Sequence, residues 1–226
     1  MGIKLETIVP WGRSLSEYIA MFNLTPSDFN GKILDCGGGP ASFNAEMTRQ
    51  GYSVTSCDPI YQFTADEISQ RIQETYPKII NGVAANPDSY VWNAIASPEQ
   101  LGKVRMAAMS QFLQDFPAGF SARRYLTAKL PSLPFANQQF NLALCSHLLF
   151  SYSEQLSTEF HIQAIAELCR IATEVRIFPL LDISGEPSPH LHPVIHQLKQ
   201  QGFQPEISTV AYEFQKGGNQ LLTIKS

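Results

Sequence analysis

Charged side chains are scarce in this chain. Asp, Glu, Lys and Arg make up 16% of its 226 residues, against about 25% in globular proteins generally. A surface so poor in charge relies on amides and hydroxyls, or is covered in part by a partner. No long run of Lys or Arg occurs, and the net charge is −4. Neutralising a phosphate backbone needs a basic stripe, so no nucleic-acid partner is expected. The four cysteines, Cys36, Cys57, Cys145 and Cys169, include no C-x-x-C pair. That spacing argues against zinc, and a reduced, cytoplasmic chain is the simplest reading. No apolar run approaches the ~20 residues that span a bilayer. The opening MGIKLETIVPWG lacks a basic-then-apolar signal pattern, and Glu6 stands where N-myristoylation needs Ser or Thr. No membrane association is expected.

A hydrophobic content of 44% supports a full core. The length suits a single α/β domain over 1–226 with an insertion. The organising stretch is residues 31–59, GKILDCGGGPASFNAEMTRQGYSVTSCDP. A short apolar run, Ile33-Leu34, ends on Asp35. Gly37, Gly38 and Gly39 follow, then a segment that can be helical (41–50), then a β-rich run (52–57) ending on Asp58. This reads as strand, tight turn, helix, strand, with an acid at the carboxyl end of each strand. Ligands of open α/β sheets bind at that edge.

Glycines let the backbone approach a ligand, and the following helix directs free N–H groups at it. A dinucleotide pyrophosphate would suit such a turn, but Ser42 stands at the third position of G-x-G-x-x-G. Asp35 would repel a pyrophosphate and favour a cation. Asp58 lies 23 residues on (58 − 35), a spacing that suits a carboxylate accepting from both ribose hydroxyls. A cation, an amino-acid moiety and an unphosphorylated ribose together describe S-adenosylmethionine (SAM).

ILDCGGGPASF resembles the first motif of the class I SAM-dependent methyltransferases, and SVTSCD their acidic second motif. The resemblance implies a three-layer Rossmann-like α/β fold. Its seven-stranded, mostly parallel sheet would carry an antiparallel strand in a C-terminal hairpin. It also implies SAM as cofactor, S-adenosylhomocysteine (SAH) as product and a small-molecule acceptor. The cofactor site would comprise Asp35, Cys36, Gly37, Gly38, Gly39, Asp58, Pro59, Lys129, Leu130, Cys145 and Ser146. Family members often carry an acid after the third strand to meet adenine. Here that position falls on Lys129, which leaves adenine to backbone groups near Lys129 and Leu130. Asn141 likewise stands where an acid is common.

Ser14 and Glu17 form a capping-box pattern that opens a helix, with Leu15, Tyr18, Ile19 and Phe22 on one face. In the family such a helix (about 14–23 here) is a partial lid, from which Arg13 or Tyr18 would reach the methionine carboxylate. Residues 60–124 exceed what the minimal fold needs and read as a mostly helical insertion, either a substrate cap or packing. Within it, 66–76 can be helical up to Pro77. A second helix opens at Ser97 and stops at Pro117 and Gly119, and between the two helices a turn-containing connector carries two aromatics able to face solvent, Tyr90 and Trp92. Strands are expected at 125–128, 140–147 and 174–181, helices at 160–171 and 192–201. Two β-rich runs, 206–214 and 220–224, flank a hairpin signal at Lys216-Gly217-Gly218-Asn219.

Methyl transfer needs the nucleophile held in line, and a base only when that nucleophile has a proton to lose. His147, just past the fourth strand, is the candidate base. Tyr61, Phe150 and Tyr152 are candidate pocket walls. His190, His192 and His196 have a zinc-like spacing, but Pro189 and Pro193 interrupt it, and no metal is expected. Two other readings stand beside the methyltransferase: a SAM- or nucleoside-binding module without catalysis, and an NAD-dependent oxidoreductase.

Overall fold

The computed structural model describes residues 5 and 7–225. The targeting-pattern readings rest partly on positions 1–4 and 6, outside the described residues. The chain opens with α1 (Leu15–Phe22), whose Ser14–Glu17 capping box forms as its sequence requires. Then come β1 (Ile33–Cys36), α2 (Phe43–Arg49) and β2 (Val54–Cys57), the expected βαβ unit. Two long helices follow, α3 (Ala65–Ala84) and α4 (Pro98–Ser121), before β3 (Tyr125–Leu126) and β4 (Phe140–Ser146). The chain closes with α5 (Thr158–Ile171), β5 (Ala172–Phe178), α6 (Leu191–Gln200), β6 (Gln204–Thr209) and β7 (Gln220–Lys225).

The sheet order is β3-β2-β1-β4-β5-β7-β6, with β7 antiparallel to both of its neighbours and the first five strands parallel. Strand order reverses between β1 and β4, and the crevice at their carboxyl ends is where such sheets take ligands. Alternate residues of the central strands point to opposite faces. Leu34, Ala143 and Val175 pack with Ile165, Leu168 and Leu198 of α5 and α6. Ile33, Leu142 and Leu144 pack with Tyr18, Phe22, Phe43 and Met47 of α1 and α2. These are the three layers. Asn141, at the start of β4, accepts the Lys32 N–H on Oδ1 at 2.9 Å. It clips β4 beside β1.

Four local expectations fail. The helix expected to stop at Pro77 runs to Ala84, and the one expected to stop at Pro117 and Gly119 runs to Ser121. A mid-helix proline forfeits one backbone bond at roughly 3 kcal/mol. In α3 the buried stripe continues across it, with Ile72 before and Ile79 and Val83 after; α4 runs only about one turn past Pro117, where Gly119 is buried and Phe120 is exposed. Gly119 is a packing requirement, since a Cβ there would lie 2.4 Å from the Tyr125 ring. Tyr90 is buried, not solvent-facing. Val91 N–H donates to the Phe214 carbonyl at 2.7 Å, and the Tyr90 and Phe214 rings lie 5.0 Å apart. The C-terminal hairpin forms, but its first strand ends at Thr209, not near Phe214. Residues 210–219 leave the sheet as one long connection, which docks onto the helical insertion.

Candidate functional site

At the end of β1 the backbone turns through Gly37 (φ 68°) and Gly39 (φ 53°), a left-handed conformation that favours glycine. Gly37 N–H donates to the Cys57 carbonyl at 2.8 Å, which fixes the turn against β2. Gly38 has no room for a side chain, because a Cβ would lie 2.1 Å from Asp35 Oδ2. Asp35 is therefore beneath the turn, 1% exposed. It accepts from Tyr18 Oη at 3.0 Å and from Ser56 Oγ at 2.9 Å. Burial pushes its carboxyl up to about 7 against those two hydrogen bonds, and the charge of Asp58 adds to the rise.

Asp58, at the end of β2, faces the crevice. Oδ2 accepts the Gly39 N–H at 3.0 Å and Oδ1 the Ile60 N–H at 2.8 Å. Burial pushes this carboxyl up to about 6, opposed by the two backbone donors. Each oxygen keeps a lone pair for a further donor.

A cavity of about 780 Å³ opens over this turn. It is lined by Cys36, Gly37, Gly38, Gly39, Asp58 and Pro59, by Lys129 and Leu130 after β3, and by Ser146 and His147 after β4. Arg13, Tyr18 and Tyr152 complete the expected residues on its wall. Four others are not on it. Asp35 is covered by Gly38, and Cys145 is sealed within β4 between β1 and β5. Tyr61 packs among Phe112, Phe116 and Tyr125, with its hydroxyl donating to the Gly39 carbonyl at 2.8 Å. Phe150 is fully buried against His161, whose Nε2 accepts the Phe150 N–H at 2.9 Å. These two aromatics support the site from behind.

Sequence reasoning missed part of the wall. Residues 8–11 cross the cavity as an irregular strap, pinned where Val9 N–H donates to Tyr152 Oη at 3.2 Å. Arg71, Ile79 and Val83 of α3 and Tyr212 and Phe214 of the 210–219 connection also face it. Only the α3 stripe carries a sequence signal, its helical periodicity. The strap and the connection have none, because their positions are set by elements distant in sequence.

His147 adopts φ 52°, its N–H donates to the Phe178 carbonyl at 2.7 Å, and its ring stands edge-on to Phe178 at 5.6 Å. Nδ1 lies 2.9 Å from Ser146 Oγ. Burial, followed by the charges of Arg13 and Arg105, holds its pKa well below the ordinary histidine value. The ring is neutral at pH 7. Arg13 donates from Nη1 to the Trp11 carbonyl at 3.1 Å, while its Nε is buried without a partner. Behind it Glu17 of α1, Arg105 of α4 and Tyr212 form one buried cluster. Arg105 grips both Glu17 oxygens, and Tyr212 Oη donates to Glu17 Oε1 at 3.1 Å. Burial raises the Glu17 pKa, but the charge and hydrogen bond of Arg105, the charge of Arg13 and the Ser14 N–H together outweigh it, and the net shift is downward.

His190 is fixed by Thr158 Oγ1 at 2.7 Å and the Ser153 carbonyl at 2.9 Å, whereas His192 and His196 are exposed on α6. Among the described residues no cluster of His, Cys, Asp and Glu is disposed to hold a metal ion, and no helix is long and apolar enough to cross a membrane. All four cysteines are buried.

The strand order, the antiparallel β7 and the glycine turn at the switch point define the fold of the class I SAM-dependent methyltransferases. Among solved structures, the mitomycin 7-O-methyltransferase MmcR superposes with a TM-score of 0.50 at 10% identity, over 93% of this chain and 53% of that one. The magnesium protoporphyrin IX methyltransferase ChlM of Synechocystis PCC 6803, solved with bound SAM, gives 0.47 at 13% identity, over 93% and 77% of the two chains. These likenesses are of fold. No protein-family model matches the sequence. The uncharacterized protein MJ0045 of Methanocaldococcus jannaschii is 33% identical over 226 residues, covering 99% of this chain and 98% of that protein. The chain belongs to the same family as MJ0045.

Proposed function

We propose that the protein is a SAM-dependent methyltransferase acting on a small-molecule acceptor. The observation that carries this reading is Asp58: a carboxylate at the switch point, steadied by two backbone N–H groups and keeping a free lone pair on each oxygen for a ribose diol. The rest of the wall fits the same ligand. The Gly37–Gly39 turn offers bare backbone to the amino-acid end. The Arg13 guanidinium, with an orphaned Nε, suits the methionine carboxylate. Backbone at Lys129 and Leu130 suits adenine. Asp35 does not touch the ligand in this reading. From beneath the turn it ties Tyr18 of the covering helix to the glycine backbone and adds negative potential below a cationic centre. A pyrophosphate fits poorly above two carboxylates.

When bound, SAM supplies a methyl group activated on a sulfonium. This chain's residues then have three tasks: to exclude water, to orient the acceptor and to take its proton. His147 is suited to the last, because its ring is neutral. The tautomer that serves as base carries its hydrogen on Nδ1 toward Ser146 and leaves Nε2 as acceptor. Asn141, whose off-pattern identity keeps a non-catalytic module in view, has a structural task of its own in holding Lys32. The test is transfer of label from [methyl-³H]SAM to the low-mass fraction of a cell extract. The expected result is a labelled product that is lost in Asp58→Ala. SAM binding without any labelled product would favour the module.

A further inference from the structure

The cavity is larger than the turn that anchors it, and its far end is apolar. Ile79 and Val83 of α3, Leu101 of α4, Tyr90, Phe214 and Trp11 surround that end. On the same face of α3, eight residues before Ile79 and so about 12 Å along the helix, stands Arg71. Its guanidinium lies over the Phe63 ring, 3.9 Å from the centroid, and its Nε is buried without a hydrogen-bond partner. Stacking on an aromatic ring holds the plane of the fork in place.

Counting charges assigns this group. Among the described residues, Arg105, Arg124, Arg170 and Arg176 each have a carboxylate within ion-pair distance, whereas the exposed Arg49 and Arg123 and the half-buried Arg13 and Arg71 have none. Glu67, one turn before Arg71, spends its Oε2 on the Thr64 N–H and hydroxyl, both at 2.8 Å, and its charge acts on Arg71 only from beyond ion-pair distance. A half-buried guanidinium without a counter-ion is costly to keep, and both such residues line one cavity. The methionine end of SAM brings a single carboxylate. Arg13 takes it, so the anion for Arg71 comes from the second ligand.

We propose that the methyl acceptor is an apolar, ring-sized molecule bearing one carboxylate, with the carboxylate on Arg71 and the body against the apolar end of the cavity. The inference rests on the methyltransferase reading. A lone guanidinium among apolar walls matches a monoanion, whereas a phosphate dianion would remain half neutralised.

The test is calorimetry on protein saturated with SAH, so that the carboxylate site at Arg13 is filled, using 2-naphthoate, 2-naphthamide and 2-naphthyl phosphate as probes. Naphthoate is expected to bind, with the amide weaker by about tenfold or more, as loss of a charge-assisted hydrogen bond implies. Arg71→Gln is expected to weaken naphthoate to the level of the amide while leaving SAH affinity within about twofold. Arg71→Lys, which keeps the charge without the fork, should restore part of the binding. Equal binding of acid and amide, tighter binding of the phosphate, no binding of naphthoate, or an unchanged Arg71→Gln would overturn the inference. Failure of SAH itself to bind would be visible first and would overturn the methyltransferase reading instead.

Discussion

Asp35 and Asp58 are carboxylates that the fold holds against their ordinary titration. Their folded values, about 7 and about 6, lie above the unfolded 3.8, so the folded state binds protons more tightly than the unfolded one. Any stability tied to these groups is complete below about pH 4 and declines as pH rises toward 6 and 7, by up to about 3 kcal/mol for Asp58. A ligand that donates hydrogen bonds to Asp58 or brings positive charge over Asp35 favours the ionised forms. SAM affinity should therefore tighten as pH rises from 5 to 7 and level off above. Asp58→Asn should weaken binding by about tenfold to a hundredfold and flatten the profile near pH 6. A wild-type affinity that is flat from pH 5 to 7 would contradict this. His147 behaves oppositely: burial beside Arg13 keeps it neutral. In a side-chain NMR titration its imidazole should stay unprotonated at pH 6, and protonation at or above the ordinary value would remove it as the base. The glycine turn and Asp58 are legible in the sequence because spacing alone defines them. The direction of the Asp35 side chain is not. Its partners, Tyr18 and Ser56, come from different elements, and the carboxylate goes beneath Gly38 because they wait there.

At the scale of elements, the sequence reads well wherever local periodicity decides. The capping box at Ser14, the βαβ unit and α5 all follow from spacing. It misleads where tertiary burial overrides a breaker, as at Pro77, where a continuous apolar stripe carries α3 on to Ala84. Nor can periodicity reveal that α1, α4 and the 210–219 connection share a buried ion pair. That pair, Glu17 with Arg105, ties α1 to α4. Removing one partner strands the other charge. Arg105→Met should cost about 3–5 kcal/mol in urea unfolding, and Glu17→Met/Arg105→Met much less than the sum of the single changes. Because the Glu17 pKa is lowered, its contribution is present at neutral pH and is lost as pH falls below the ordinary glutamate value of 4.5. Additive single effects would show that the elements are held by apolar packing alone.

At the scale of the molecule, the mostly parallel sheet with a late antiparallel hairpin strand was the most legible property, since an acid-ended βαβ unit and a terminal hairpin leave few topologies. The cavity was the least legible. Its roof is assembled from the strap at 8–11, the face of α3 and the 210–219 connection, three segments joined only by the fold. The shape of the cavity's apolar end is therefore a product of tertiary structure, while the end at the glycine turn is a product of motif.

The most direct measurement is titration calorimetry of the purified chain with SAM and, separately, with NAD, repeated on Asp58→Ala. Saturable binding of SAM at one site, no heat with NAD and a loss of SAM affinity of about tenfold or more in the variant are the predicted results. Binding of NAD alone, or a SAM affinity indifferent to Asp58, would contradict the account.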